Sequence, residues 1–118
     1  MIINHTGLPS DRTADGLAGW LKALQAIAEF PQVFIKISGL GLAGKEWSVK
    51  DNSQIINRTI DLFGPERCMF ASNFPVDGLC GSFDTIWNGF DQATKHLTDS
   101  ERSALFYKTA IDLYRLDV

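Results

Sequence analysis

Cys68-Met69-Phe70-Ala71-Ser72-Asn73-Phe74-Pro75-Val76-Asp77 is the stretch that decides the fold. Cys68 to Ala71 run without polar alternation, as a strand buried on both faces does, and Pro75 forbids the ladder from continuing. Ser72 and Asn73 therefore sit at the C-terminal end of a strand. In sheets built from βα units that end is where ligands bind, because the loops there carry chemistry while the strands hold them rigid.

Two earlier stretches have the same form. Ile2-Ile3-Asn4-His5 reaches polar residues almost at once and is closed by Thr6-Gly7-Leu8-Pro9. Val33-Phe34-Ile35-Lys36-Ile37-Ser38 is β-branched and nearly continuous, and Gly39 to Gly44 supplies a flexible loop after it. Between these strands Leu17, Trp20, Leu21, Leu24, Ile27 and Ala28 recur at three and four, which predicts a helix from Thr13 to Glu29 with that stripe against a sheet. A second helix is expected from Asp51 to Phe63, with Ile55, Ile56, Thr59, Ile60 and Phe63 on one face and Gly64-Pro65 as its stop. Ser82 can cap a third, carrying Phe83, Ile86, Trp87 and Phe90. Thr98-Asp99-Ser100-Glu101 fits a capping box for a last helix to Tyr114 that buries Leu105, Phe106, Ala110 and Leu113.

The order is thus β-α-β-α-β-α-α, an α/β chain of about three parallel βα units with right-handed crossovers. Three strands are few for such a sheet, which is normally covered on both faces. The pattern suggests a piece of a closed barrel, or a chain that finds the rest in another copy of itself through its open sheet.

Composition narrows the function. The 118 residues are 45% apolar and 21% charged, which suits one ordinary globular domain, residues 1–118. A net charge of -3, with only 11 scattered Lys and Arg, argues against nucleic acid and leaves a small molecule as the expected partner. No apolar run approaches the roughly 20 residues that span a bilayer, so no membrane role is expected and a cytoplasmic location is. Cys68 and Cys80 lack metal-ligand spacing and are read as two reduced thiols.

The candidate site residues cluster at the three strand ends. His5, beside Asn4, ends the first strand; an imidazole suits many roles and a lone histidine is more often structural or solvated, but a place at a strand's C-terminal end favours a functional one. Lys36 and Ser38 share one side of the second strand, opposite Ile35 and Ile37. A Lys turned into a barrel lumen needs a carboxylate or an anionic substrate to meet it, unless its head reaches solvent. Asn73 and Asp77 bracket Pro75, where the ordinary reading is a turn side chain bonded to nearby backbone.

His5-Thr6-Gly7-Leu8-Pro9, Lys36-Ile37-Ser38-Gly39, Ser72-Asn73-Phe74-Pro75-Val76 and Thr109-Ala110-x-x-x-Tyr114-Arg115-Leu116 together resemble, in order and spacing, the C-terminal part of the amidohydrolase-related TIM-barrel hydrolases. That branch includes lactonases acting on pyrone-dicarboxylate and on sugar or muconate lactones, and a zinc-dependent decarboxylase. The resemblance implies a partial (β/α)8 barrel whose three strands correspond to strands six, seven and eight. It implies a hydrolase of a lactone or carboxylic ester in which His5 and Asn73 are catalytic and water attacks the carbonyl. Asn4, Lys36, Ser38 and Asp77 would bind a small carboxylate or lactone substrate. For intact relatives the resemblance implies a divalent metal, zinc or manganese; for this chain no metal is expected, because Asn73 stands where the family has an Asp, and an amide neither takes up a proton nor binds divalent cations well. As a fragment it is expected to be inactive alone, and the alternative is a non-catalytic remnant or a structural partner that completes a barrel with another chain.

Overall fold

A computed structural model describes residues 1–118. Three short strands, β1 (Ile2–Ile3), β2 (Phe34–Ile37) and β3 (Cys68–Phe70), form one sheet in the order β1-β2-β3. Both pairings are parallel, with Ile3 opposite Ile35 and Ile37 opposite Phe70. Helix α1 (Ala14–Ala28) crosses from β1 to β2, and α2 (Val49–Phe63) crosses from β2 to β3. After β3 come a 3₁₀ turn at Val76–Leu79, α3 (Phe83–Ala93), and a final helical run of α4 (Asp99–Ser103), a π-helical turn at Ala104–Lys108, and α5 (Thr109–Tyr114). This is an α/β fold of three βα units.

Register sorts the side chains. Ile3, Ile35, Ile37, Cys68 and Phe70 face the helices and join Ile55, Ile56, Ile60, Phe63, Ile86, Phe90 and Leu105 in one core. At its centre the Phe70 and Phe90 rings stack with centroids 4.3 Å apart, an offset arrangement that adds to their burial. On the other face lie Phe34, Lys36 and Ser38, the side expected to line a lumen. That face is less bare than expected for an open sheet. Met69, the register partner of Lys36, is 2% exposed, and the Tyr114 ring lies 5.4 Å from the Lys36 ammonium. The chain's own last helix therefore covers part of it.

Several boundaries differ from expectation. The first strand ends at Ile3, not His5, because His5, Thr6, Gly7 and Leu8 all take positive φ, a left-handed turn that no ladder can follow. Helix α2 starts at Val49 rather than Asp51: the Ser48 hydroxyl accepts from the Asp51 amide and donates to the Asp51 carboxylate. Of the stripe on α1 only Leu24 is buried; Leu17, Trp20, Leu21 and Ile27 are half-covered, since no element lies on the β1 side to meet them. The last helix buries Ala104, Leu105 and Thr109 while Phe106, Ala110 and Leu113 stay half-buried, because the π turn adds a residue and rotates the face.

Candidate active site

The strand ends meet through the loop after β2. Gly39, at φ +64, lies directly under the His5 ring: a Cβ there would come within 2.7 Å of His5 Cβ, Cγ and Nδ1. Two residues on, Gly41 donates its amide to the Asp77 carboxylate at 3.3 Å. The loops after β1 and after β3 thus dock on one short glycine-rich segment, which brings His5 and the Asn73–Asp77 pair to the same end of the sheet.

Thr6 builds the first half. It is wholly buried, and its hydroxyl accepts from the Ser38 amide and donates to the Ser38 carbonyl, both at 3.2 Å. Its own carbonyl accepts from the Trp20 indole at 2.8 Å. These bonds hold a left-handed backbone that costs roughly 1–2 kcal/mol per non-glycine residue, and they leave His5 with one choice of place. Nδ1 of His5 lies 3.1 Å from the Ser38 hydroxyl. Nε2 has no protein partner and is not enclosed, so it is the ring atom open to solvent. Ser38 is 2% exposed and acts on the histidine, with no surface left for a substrate.

Asn73 builds the second half. It too is left-handed, at φ 55, a conformation asparagine tolerates. Its Nδ2 donates to Asp77 Oδ1 at 2.9 Å, while its Oδ1 has no protein donor and is not enclosed. Asp77, placed above among substrate contacts, turns inward: it is 5% exposed and each carboxylate oxygen has a protein donor. Lys36 meets no carboxylate; an aromatic face stands in, the tyrosine quadrupole taking the cation. Asn4 is exposed, and its side chain makes no cap hydrogen bond to the turn that follows.

Arg12 escaped the sequence reading. Its guanidinium donates to the carbonyls of Pro9, Leu40 and Asp51 and, at 3.0 Å, to Asn52 Oδ1, so one side chain ties the loops after β1 and β2 to the start of α2. Burial lowers its pKa from the ordinary arginine value, against the opposing field of Asp51. A single loop arginine has no periodicity to betray it.

The arrangement offers an imidazole nitrogen, an amide oxygen and an ammonium. It offers no free carboxylate, and nowhere do three His, Cys, Asp or Glu side chains converge. One imidazole with a committed carboxylate does not make the three- or four-ligand set that zinc takes, so these residues do not by themselves fit a resident metal.

The amidohydrolase family model matches residues 1–116. An uncharacterized protein of Sinorhizobium fredii is 44% identical over 116 residues, covering 98% of this chain and 39% of the relative. An L-fucono-1,5-lactonase of Burkholderia multivorans is 34% identical, covering 98% of this chain and 43% of the relative. The crystal structure of an amidohydrolase from Burkholderia multivorans, solved with bound zinc, superposes with a TM-score of 0.87 at 33% identity, again over 98% of this chain and 44% of that one. The chain thus spans about two fifths of the length of the relatives it matches, and its three βα units are part of an amidohydrolase TIM barrel.

Proposed function

The chain belongs to the amidohydrolase family, and from that premise we propose that it is the C-terminal portion of a barrel hydrolase that opens a lactone or carboxylic ester by attack of water on the carbonyl. The observation that carries the reading is the pairing of His5 with Ser38. When Nδ1 donates its proton to the serine hydroxyl, Nε2 keeps its lone pair toward solvent, which is the form a general base requires. Asn73 Oδ1 accepts a hydrogen bond from the water and aims it, and Lys36 leaves Tyr114 to hold a substrate carboxylate. The substrate is a small carboxylate or lactone. In this reading the zinc or manganese of the complete enzyme is held by residues outside this chain, which is therefore inactive alone.

A second reading has one observation in its favour. The strand ends contain no free carboxylate, so the unit would serve as a non-catalytic remnant or as a structural partner that completes a barrel.

A chimera separates the two. Residues 1–118 replace the matching segment of the Burkholderia multivorans lactonase, and hydrolysis of L-fucono-1,5-lactone is followed by proton release. The hydrolase reading expects turnover by the chimera, none by residues 1–118 alone, and a fall of about 10²- to 10⁴-fold in kcat for His5→Ala, the range lost with a general base. A folded chimera without turnover, or one indifferent to His5→Ala, sinks it.

A further inference from the structure

We propose that Asp77 is a positioning residue that locks the Asn73 amide with its carbonyl oxygen toward the site, so that this position takes only hydrogen-bond donors: a water or a substrate hydroxyl. The role of that water rests on the hydrolase reading; the locking does not. Asn73 Nδ2 and Asp77 Oδ1 are 2.9 Å apart, and the Asp77 amide donates back to the Asn73 carbonyl at the same distance. An ionised carboxylate has no proton to give, so it accepts only from the nitrogen end of the amide; the flipped amide would set two acceptors against each other. The second carboxylate oxygen is held by the Gly41 amide, so Asp77 cannot swing away without releasing the loop after β2. Around Asp77 stand only neutral donors and the Cys80 thiol, which crowds the same side of Gly41, and no cationic nitrogen lies within 4.0 Å. The negative charge is thereby kept one residue behind the rim. What reaches the site from it is an oriented, uncharged acceptor.

The consequence is chemical selectivity at Asn73. An amide free to flip serves a hydroxyl or a carbonyl equally; a locked one refuses the carbonyl. That is the sense needed beside a carbonyl under attack, where the water must be held and the substrate oxygen must lie elsewhere.

The test is nuclear magnetic resonance of the side-chain amides of the 118-residue chain, with the Asn73 signal assigned by its loss in Asn73→Ser. We expect one Asn73 Nδ2 proton to exchange about tenfold slower than those of the exposed Asn4, the factor that one hydrogen bond of ordinary net strength supplies. Asp77→Ala, which leaves no acceptor at position 77, should bring that exchange to the rate of Asn4. Exchange as fast as that of Asn4 in the unmodified chain, or a protected signal that persists in folded Asp77→Ala, overturns the proposal. Should that variant not fold, the unmodified chain decides: slow exchange supports the lock, and its absence refutes it. None of these outcomes depends on turnover, so the lock and the hydrolase reading fail separately.

Discussion

Burial pushes the Cys68 thiol up to about 12 from a reference of 9.0, against a smaller opposing pull from Arg67. A folded-state value raised in this way leaves stability untouched below the unfolded value and erodes it as pH rises from 9 toward 12, because the unfolded chain releases a proton that the native one keeps. The slope is at most about 1.4 kcal/mol per pH unit. Urea unfolding between pH 8 and about 11 should therefore show falling stability, and Cys68→Ala should flatten that fall whatever it costs at pH 7 through the small cavity it leaves. A slope unchanged in Cys68→Ala would move the alkaline sensitivity to other groups. Gly39 gives a second residue-scale expectation. Gly39→Ala meets both a left-handed backbone and the His5 ring, so it should destabilise by about 1–3 kcal/mol and displace the imidazole from Ser38. A melting temperature equal to that of the parent would contradict it. These residues also mark how far the sequence could be read. That His5 and Asn73 stand at strand ends follows from apolar runs that stop. That His5 rests on Ser38, or that Asp77 turns inward, depends on strand register and on left-handed loops, and neither leaves a period in the chain.

Elements were legible where a stripe or a cap announced them. The Ser82 cap of α3 is found as read, and the Thr98–Glu101 box of α4 forms by half: the Thr98 hydroxyl accepts from the Glu101 amide at 3.1 Å, while the Glu101 carboxylate accepts from that hydroxyl rather than from the Thr98 amide. The start of α2 was missed because Ser48 is followed three residues later by Asp51, a shorter acid than the glutamate of the usual box. Ser48→Ala should cost about 0.5–2 kcal/mol, the range for losing an N-cap, measured as a shift in the urea midpoint. A loss below 0.5 kcal/mol on that scale would mean that water replaces the serine. The same bond gives Asp51 a carboxyl held below its ordinary value, first by Ser48 and then by Lys45. A depressed acid stabilises above its unfolded value and loses that contribution as pH falls through the folded one, so the cap weakens on the acid side of about 4. Within α3 the tempting change is Gly89→Ala, since alanine gains up to about 1 kcal/mol over glycine in a helix. Here Trp47 lies against the Gly89 Cα and leaves a Cβ no room. The added methyl must move a ring that is 5% exposed and packed edge-on to Phe90, so packing strain outweighs propensity.

At the scale of the whole molecule, compactness and surface disagree, and the disagreement predicts how the chain behaves in solution. The radius of gyration is 13.6 Å, close to the ~13.5 Å expected for a domain of this length. The accessible surface is 6943 Å², whereas a monomer of 13.1 kDa exposes about 6,400 Å². An extended shape is thus not the cause of the excess, and the half-covered stripe of α1 and the unpaired edge of β1 are among the flanks left open. With roughly 60% of about 550 Å² apolar, burying it would return on the order of 8 kcal/mol, comparable to the 5–15 kcal/mol by which a domain is stable. The isolated chain should accordingly be marginal. Two copies pairing through this surface would bury about 1,100 Å² in total, just under the 1,200 Å² at which specific stable interfaces begin, so association should be weak and reversible rather than obligate. The β1 edge is the place for it, because Ile2 and Ile3 present free backbone groups beside the apolar groove of Leu8, Trp20 and Ile27. Sedimentation velocity across a hundredfold range of concentration should show a mass that rises with concentration, and Ile2→Lys, which charges the edge without entering the core, should hold the chain as a monomer. A mass independent of concentration together with one sharp thermal transition would mean that three βα units make a self-sufficient domain, and that the open flank needs no partner.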